Sequence, residues 1–445
     1  MAVTKIEPRI FKGARDFLPD EMIHREDIIK QMRAVFQKYG FEPIETPAIE
    51  YLNVLTGKYG EDADRLIYKL NYKTGTKDEA ALHYDLTVPF SRVIAMHKDL
   101  TKPFRRYQIQ PVWRADTPQP KQGRFREFYQ CDIDAIGSKS MLVDAEIICI
   151  VNEILTALGF KGFLIRVNNR KVLNGFVQYM GLDESLTGEI CRSIDKLDKM
   201  PMKEVVQELL SKNIPVENVV KLSEIFPPGA DGKVGRITIA KAEELMKGIA
   251  IGEEGITELN QLFAYLGCMN IPKENFVFDM SLARGLDYYT GPIFETTLPS
   301  QPHIGSLTGG GRYDNLISSF SGVDTPAVGT TLGLDRIFSA MQQLGMLSKA
   351  NTRTKILVTV FSKDTILNSL GLTSSLRNAG INAEIYHEPV KLKSQFSYAD
   401  KKGIKYVAII GEDEIKNGQV TIKDMITGEQ KIYTNEELLK WASGI

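Results

Sequence analysis

A chain of 445 residues exceeds what one ordinary core organises, so at roughly 100–200 residues per domain it should divide into about two to four. Its 43% hydrophobic and 25% charged residues are average for soluble globular proteins and exclude a disordered or membrane-embedded chain. A net charge of −1 excludes attachment to nucleic acid through overall positive charge, so any basic surface has to be local.

The N-terminal segment MAVTKIEPRIFKGARDF lacks the continuous apolar stretch of a secretory signal, and no run of about 18 apolar residues follows, which sets a cytoplasmic expectation. From Asp20 to Tyr39 the residues Ile28, Met32, Val35, Phe36 and Tyr39 recur at helical spacing, after Pro19 and before Gly40, and predict an amphipathic helix. FEPIETPAIE (41–50) mixes alternation with two prolines, as a short or bent edge strand does. Between 80 and 137 the runs ALHYDLTV, RYQIQPVW and FREFYQCDIDAI, separated by Pro- and Gly-containing breaks, predict antiparallel sheet. A helix is expected over 142–158, with Ile147, Ile148, Val151, Ile154, Leu155 and Leu158 on one side and Gly159 at its end, followed by a strand at FLIRVNN.

Between about 170 and 270 the pattern turns helical, as in EVVQELLSK, NVVKLSEIF and GITELNQLFAYLG, and predicts an inserted helical unit. Strand patterns return at NFVFDMSLA, PIFETTL and AVGTTLGL, interrupted by Gly309, Gly310 and Gly311, which alone predict turns. SKANTRT (348–354) has the polarity of a linker, and beyond it KILVTVF, INAEIYHE and YVAIIGE alternate with helical stretches near 364–379 and 391–403. That order predicts a small α/β domain with a mostly parallel sheet. Cys131, Cys149, Cys191 and Cys268 have no CxxC spacing and no nearby His partner, which argues against a zinc site or a disulfide framework and for a reducing compartment. His24, His83, His97, His303 and His387 form no metal spacing either and are assigned structural or surface roles.

The chemistry concentrates in two stretches. From Lys102 to Arg126, Lys102, Arg105, Arg106, Arg114, Lys121, Arg124 and Arg126 stand against a single acid, Asp116, an excess that the global balance conceals. Strands flanking the loop TPQPKQG would project these cations toward a shared pocket. A guanidinium is planar, always charged and forks onto phosphate oxygens, which suits Arg114 and Arg124 to a triphosphate; a solvated basic edge is the plainer alternative. Phe125 and Phe128 have opposite strand parity, so one is expected to face an adenine and the other the core, with Phe128 chosen for the adenine. In the second stretch, RGLDYYTGPIFE (284–295), Arg284, Asp287, Tyr288 and Tyr289 fall within six residues, and Gly285 and Gly291 let backbone approach a ligand.

Arg114, the short loop and GRFREF (123–128) together resemble motif 2 of class II aminoacyl-tRNA synthetases. RGLDYYTG (284–291) closely resembles a signature of the histidyl-tRNA synthetase family that other class II members lack. GARDFLPDE (13–21) through Pro47 is similar to motif 1, the helix and bent strand of the dimer contact. TGGGRYDNL (308–316) and PAVGTTLGLDRI (326–337) resemble the glycine-rich strand and motif 3. The resemblance spans nearly the whole chain. It implies an α+β fold, with a class II synthetase-like antiparallel sheet flanked by helices, a helical insertion and a C-terminal α/β anticodon-binding-like domain. The expected boundaries are 1–169 and 273–346 for the catalytic domain, 170–272 for the insertion, 347–354 for the linker and 355–445 for the anticodon-binding domain.

The reaction so implied activates L-histidine with ATP to histidyl-adenylate and pyrophosphate, then transfers histidine to the 3′ end of tRNA(His) and releases AMP. No protein nucleophile is required, so catalysis rests on positioning and on cations aimed at the charge developing on the α-phosphate. By resemblance the catalytic residues are Arg114 and Arg284, and the ATP-binding residues are Arg114, Asp116, Arg124, Phe128 and Arg336, with Asp116 near magnesium or ATP. The histidine-binding set is Asp85, Thr87, Gln130, Asp134, Arg284, Tyr288, Tyr289 and Tyr313. Asp85, Thr87 and Gln130 surround the ammonium in the family pattern, while a carboxylate and a phenol, Asp134 and Tyr289, would read the two nitrogens of a neutral imidazole, supported by Tyr288 and Tyr313.

Plainer roles stand beside these: Asp85 capping a turn before Pro89, and Asp134 pairing with an arginine of its own sheet. The bacterial form of the family carries Glu at both positions, so here the chain resembles the eukaryotic or archaeal pattern. A site of paired polar groups discriminates well enough that no editing domain is expected. Magnesium is expected with ATP and zinc is not; the implied partners are tRNA(His), L-histidine, ATP and a second copy of the chain. Lys391, Lys393, Lys401, Lys402 and Lys405, with Phe396 and Tyr398, are candidates to meet tRNA phosphates and a splayed base, against the plainer reading of a solvated helix. Regulatory relatives that do not aminoacylate typically lose catalytic residues or the C-terminal domain, whereas this chain keeps Arg114, Arg284, Arg336 and that domain. A class II synthetase for another amino acid would require RGLDYYTG to be coincidental.

Overall fold

The computed structural model describes residues 6–57, 64–71, 79–198, 200–227, 235–284, 288–348 and 352–444. Gly285, Asp287 and the middle of the expected linker lie outside the described residues. The chain divides into two compact units, Met1–Arg15 with Ile28–Met346, and Asp16–Asp27 with Leu347–Ile445.

The first unit contains β1 (Glu42–Pro43), β2 (Ile49–Tyr51), β3 (Ala80–Leu82), β4 (Phe104–Trp113), β5 (Glu127–Ile136), β6 (Leu164–Asn169), β7 (Phe276–Phe278), β8 (Pro292–Thr297), β9 (Thr308–Arg312) and β10 (Ala327–Gly333). Eight of these strands form one sheet in the order β1-β4-β5-β10-β9-β8-β6-β7, while β2 and β3 pair separately. Pairing is antiparallel from β4 through to β6. It is parallel only at the two edges, β1 with β4 and β6 with β7. The antiparallel expectation therefore holds for the body of the sheet.

β5 lies in the middle of this sheet and is buried from Gln130 to Ile136. A strand covered on both faces usually carries apolar residues on both. Here Cys131, Ile133 and Ala135 supply one apolar face, but Gln130, Asp132 and Asp134 line the other. On β4 their partners in register are Gln110, Gln108 and Arg106, so a buried polar strip two strands wide runs along the sheet. That strip is the floor of the site described below.

Two local predictions differ from the structure. ALHYDLTV is not a continuous strand: β3 stops at Leu82, and a helix, Thr87–Met96, begins where alternation had suggested more sheet. Asp85 Oδ1 accepts the Val88 amide at 3.1 Å, satisfying one of the unpaired donors of that helix start. The glycines 309–311 belong to β9 and make no turn. Gly310 packs so closely that a β-carbon there would overlap the Gly329 carbonyl, so the residue is small because strands crowd it.

In the helical stretch, Ala250–Cys268 packs on Arg170–Tyr179 and on Met141–Ala157, the helix expected over 142–158. The first helix runs Pro19–Lys38 and buries Ile28, Met32, Val35 and Phe36, as its spacing predicted. No described helix is long and apolar enough to cross a membrane.

The second unit holds β11 (Ile356–Val358), β12 (Ala383–Ile385), β13 (Tyr406–Ile409), β14 (Gln419–Asp424) and β15 (Gln430–Thr434), in the order β12-β11-β13-β14-β15. The mostly parallel expectation is corrected here: β12-β11-β13 is parallel, but β13-β14 and β14-β15 are antiparallel. Helices Ile366–Asn378 and Leu392–Lys402 give the first three strands the long crossovers that parallel pairing needs. The connections to β14 and β15 are too short for that and force reversal. Ile356, Val358, Leu376, Ala408, Ile422 and Leu438 form the core of this unit.

Candidate active site

A cavity of about 360 Å³ lies over the polar floor of the sheet. Asp85, Thr87, Arg114, Asp116, Arg124, Phe128, Gln130, Asp134, Arg284, Tyr288, Tyr289, Tyr313 and Arg336 all line it, so the residues nominated from sequence converge on one space. They come from the start of helix Thr87–Met96, from β5 and the loop between β4 and β5, from the segment before β8, from the residue that follows β9 and from helix Leu334–Gln343.

Four guanidinium groups form one cluster. Arg114 Nε donates to the Tyr84 carbonyl at 3.1 Å, with its guanidinium 4.3 Å from the Tyr84 ring centre and 5.1 Å from that of Phe128. Arg124 Nη2 is 3.7 Å from Asp116 Oδ2, Arg284 Nη1 is 2.6 Å from Glu295 Oε1, and Arg336 Nη1 donates to the Ser306 carbonyl at 2.8 Å. Burial, together with the like charges of Arg124, Arg284 and Arg114, lowers Arg336 to about 10, against the pull of Glu295. Cations that repel one another in a shared cavity need an anion of high charge density to settle them, and a phosphate chain is such an anion.

The arginine-rich segment does not send all its cations inward as expected. Arg105 pairs with Glu146 at 2.7 Å, and Arg126 Nη1 donates to the Lys12 carbonyl at 3.1 Å. Lys102 and Lys121 are absent from the lining. The parity argument for the two phenylalanines also fails, because β5 begins only at Glu127 and alternation has no hold on residue 125. Phe125 lines the cavity as Phe128 does, with the Arg15 guanidinium 3.7 Å from its ring centre.

A second cluster is acidic. Asp134 pairs with the fully buried Arg106 at 2.7 Å and accepts the Tyr313 hydroxyl. Its carboxyl is raised by burial, against Arg106 and Tyr313, which favour the ionised form. A β-carbon at residue 329, opposite Asp134 in register, would overlap Asp134 Oδ1, so Gly329 makes room for that carboxylate. The plain alternatives for the two aspartates are thus also met: Asp134 pairs with an arginine of its sheet, and Asp85 caps a helix. Both nonetheless face the cavity. Tyr288 donates to Tyr289 at 3.0 Å with ring centres 4.3 Å apart, and burial raises Tyr289 to about 12, so both phenols stay protonated at neutral pH.

The residue reading missed several members of this site. Asp132 lies on the polar face of β5 between Gln130 and Asp134, and the alternation in QCDID already put it there. Glu295 holds Arg284, and Asp335 pairs with Arg15 while accepting the Tyr129 amide at 2.8 Å. Glu295 stands eleven residues after its partner Arg284, whereas the partners of Asp335 are remote in sequence, and no local pattern announces either pairing. His83 is buried between the carbonyls of Pro47 and Pro111, and the four cysteines form no disulfide with one another. In the second unit, Lys402 and Tyr398 are tied to Glu384, and Lys423 sits 4.5 Å from the Phe396 ring centre. Lys391, Lys393, Lys401 and Lys405 are exposed.

Residues 13–337 match the family model for histidyl-tRNA synthetase, and residues 355–444 match that for an anticodon binding domain. A histidine–tRNA ligase of Cytophaga hutchinsonii is 40% identical, covering 97% of this chain and 99% of its own length. One of Gloeobacter violaceus is 42% identical, covering 94% of this chain and 95% of its own. The solved histidyl-tRNA synthetase of Nostoc sp. superposes with a TM-score of 0.87 at 32% identity, over 99% of this chain and 100% of that one. An ATP phosphoribosyltransferase regulatory subunit/histidyl-tRNA synthetase from Bacillus halodurans shares the fold, with a TM-score of 0.72 at 23% identity over 88% of this chain and 97% of that one.

Proposed function

The chain belongs to the histidyl-tRNA synthetase family and ligates histidine to tRNA at the expense of ATP, and from that premise we propose a division of labour within the cavity. The observation that carries it is the pairing of a guanidinium cluster with a carboxylate cluster along one strand. From Phe128 to Asp134 the seven residues of β5 span roughly 20 Å, the scale of an amino acid joined to a nucleotide.

ATP lies on the cationic side, with adenine against Phe128 and the triphosphate on Arg124 and Arg336. The histidine carboxylate attacks the α-phosphorus, and the bond to pyrophosphate breaks. Arg114 and Arg284 are aimed at the charge that grows on the α-phosphate oxygens, and fixed cations of this kind stabilise a transition state without reorganising. A terminal ribose hydroxyl of tRNA(His) then attacks the acyl carbon, and AMP leaves. On the acidic side Asp85, Thr87 and Gln130 surround the substrate ammonium. Asp134 accepts from one imidazole nitrogen and Tyr289 donates to the other, with Tyr288 and Tyr313 fixing their geometry. This reads a neutral imidazole from both ends.

For magnesium Asp116, beside Arg124, is the carboxylate we place near the phosphates, and among the described residues no three His, Cys, Asp or Glu side chains are grouped to hold a metal alone. That donor set fits an ion that takes most of its ligands from phosphate and water, where it would neutralise phosphate charge. We further read 1–169 and 273–346 as the catalytic domain, 170–272 as its helical insertion, 347–354 as a linker and 355–445 as the anticodon-binding domain. The protein is proposed to act in the cytoplasm as a homodimer through the segment resembling motif 1; a monomer by sedimentation would overturn that assembly.

Histidine-dependent exchange of pyrophosphate into ATP tests the central reading. Exchange with histidine and with no other amino acid is expected. Binding of tRNA without any exchange would instead identify a regulatory protein.

A further inference from the structure

Of the three carboxylates in the acidic cluster, two are already engaged. Asp134 holds Arg106 and Tyr313, and Asp85 Oδ1 holds the Val88 amide. Asp132 differs: it is 1% exposed and lines the cavity, and neither Oδ1 nor Oδ2 makes a hydrogen bond of good geometry among the described residues, the Thr331 hydroxyl acting only as a weak neighbouring donor. Its neighbour on the same strand face, Gln130, donates through Nε2 to Thr331 at 3.0 Å but leaves its own Oε1 buried without a partner. Two adjacent residues thus present unsatisfied acceptors to one cavity. A buried acceptor without a donor is costly, so such a pair in a binding site marks where a donor-rich ligand group belongs.

We infer that Asp132 is the ionic partner of the histidine α-ammonium, holding it together with Gln130 Oε1. This rests on the reading of the cavity as the histidine site. An ammonium has three donors and no acceptor, which complements these orphaned oxygens, and its charge opposes that of a carboxylate. Asp134, being already committed to Arg106, is left to the imidazole.

The surroundings give the assignment a measurable signature. Burial raises the Asp132 carboxyl to about 8; Arg106 opposes this, Asp134 adds to it, the Thr331 hydroxyl opposes it and Asp85 adds to it. The Tyr289 and Tyr313 hydroxyls complete the titratable groups within its field. Before an ammonium arrives the carboxyl is therefore mostly protonated at pH 7. Arrival of an ammonium ionises it, and the proton leaves to solvent.

Calorimetry at pH 7 tests this with two probes: histidinol, which keeps the ammonium and the imidazole, and 3-(imidazol-4-yl)propan-1-ol, which lacks only the ammonium. Asp132→Asn and Asp132→Ser should each weaken histidinol binding by roughly 10- to 100-fold, the value of a charged hydrogen bond, and leave the deaminated alcohol within about threefold. In buffers of different ionisation enthalpy, the proton released when histidinol binds the unsubstituted protein should disappear in both variants. Unchanged histidinol affinity, equal loss of both probes, or an undiminished proton release would overturn the assignment while histidine-dependent exchange still stood. Absence of that exchange in the unsubstituted protein would instead remove the reading on which the assignment rests.

Discussion

The two halves of the cavity handle charge in opposite ways. On the cationic side the arginines are partly open: the side chains of Arg284 and Arg124 are 50% and 46% exposed, and each rests on an acid of the protein that a phosphate can replace. On the acidic side Arg106 and Asp134 are 0% and 4% exposed, locked to each other and to Tyr313. Exposed charges are screened and reorient cheaply, whereas buried ones act through a low dielectric and hold their geometry. The first arrangement suits a ligand shared by many enzymes. The second suits discrimination, because a substrate lacking a matching group leaves buried partners unpaired.

If the acidic half is as rigid as this comparison requires, removing its one cation should have the largest effect. Arg106→Leu strips Asp132 and Asp134 of their counter-charge. It should cost about 3–5 kcal/mol of stability, the usual penalty for breaking a buried pair by deleting one partner. Urea denaturation would reveal it, and an unshifted midpoint would mean the acids are not held as described. On the open side the same kind of deletion should spare the fold and strike the reaction. Arg284→Ala is expected to lower the exchange rate by about 10²–10³-fold with little change in the urea midpoint. Near-normal exchange would refute its role at the α-phosphate.

The sequence made the cationic half legible because its members sit in two short strings, at 114–128 and 284–295, and guanidinium chemistry leaves few alternatives. The sheet was legible as well, since alternation through YQIQ of β4 and QCDIDA of β5 marks both strands. What escaped were relations between residues far apart. The pairing of Arg15 with Asp335, and the crowding of Gly310 by Gly329, depend on how remote segments pack, and no window of sequence encodes that. Phe125 was misjudged for a different reason: parity was applied two residues before the strand starts. Asp132 shares the parity of Gln130 and Asp134, but a lone carboxylate on a strand face carries no sequence signature that separates a ligand from a structural acid.

A pH dependence sharpens the contrast at a smaller scale. The Asp132 carboxyl is raised in the fold, so the native state binds a proton that the unfolded chain, with an aspartate near 3.9, has released. Its contribution to stability is complete below about pH 4 and is lost as pH rises through about 8. Between pH 6 and pH 9 the ligand-free enzyme should lose on the order of 1–3 kcal/mol that Asp132→Asn does not lose. Parallel profiles for the two proteins would show that the buried half carries no such strain.

The smallest effect is expected where charges are fully solvated. Lys393 and Lys401 on helix Leu392–Lys402 are exposed, unlike Lys402, which is bound to Glu384 and the Tyr398 hydroxyl. Solvated lysines contribute to nucleic-acid binding mainly by displacing counterions, so their effect is modest and depends on salt. Replacing both by alanine should raise the KM for tRNA by about threefold at low salt. It should flatten the salt dependence by roughly one to two contacts and leave pyrophosphate exchange untouched. If KM and its salt slope both stay as they were, these lysines are a solvated face. Recognition in the second unit then has to come from residues held as firmly as those beneath the imidazole.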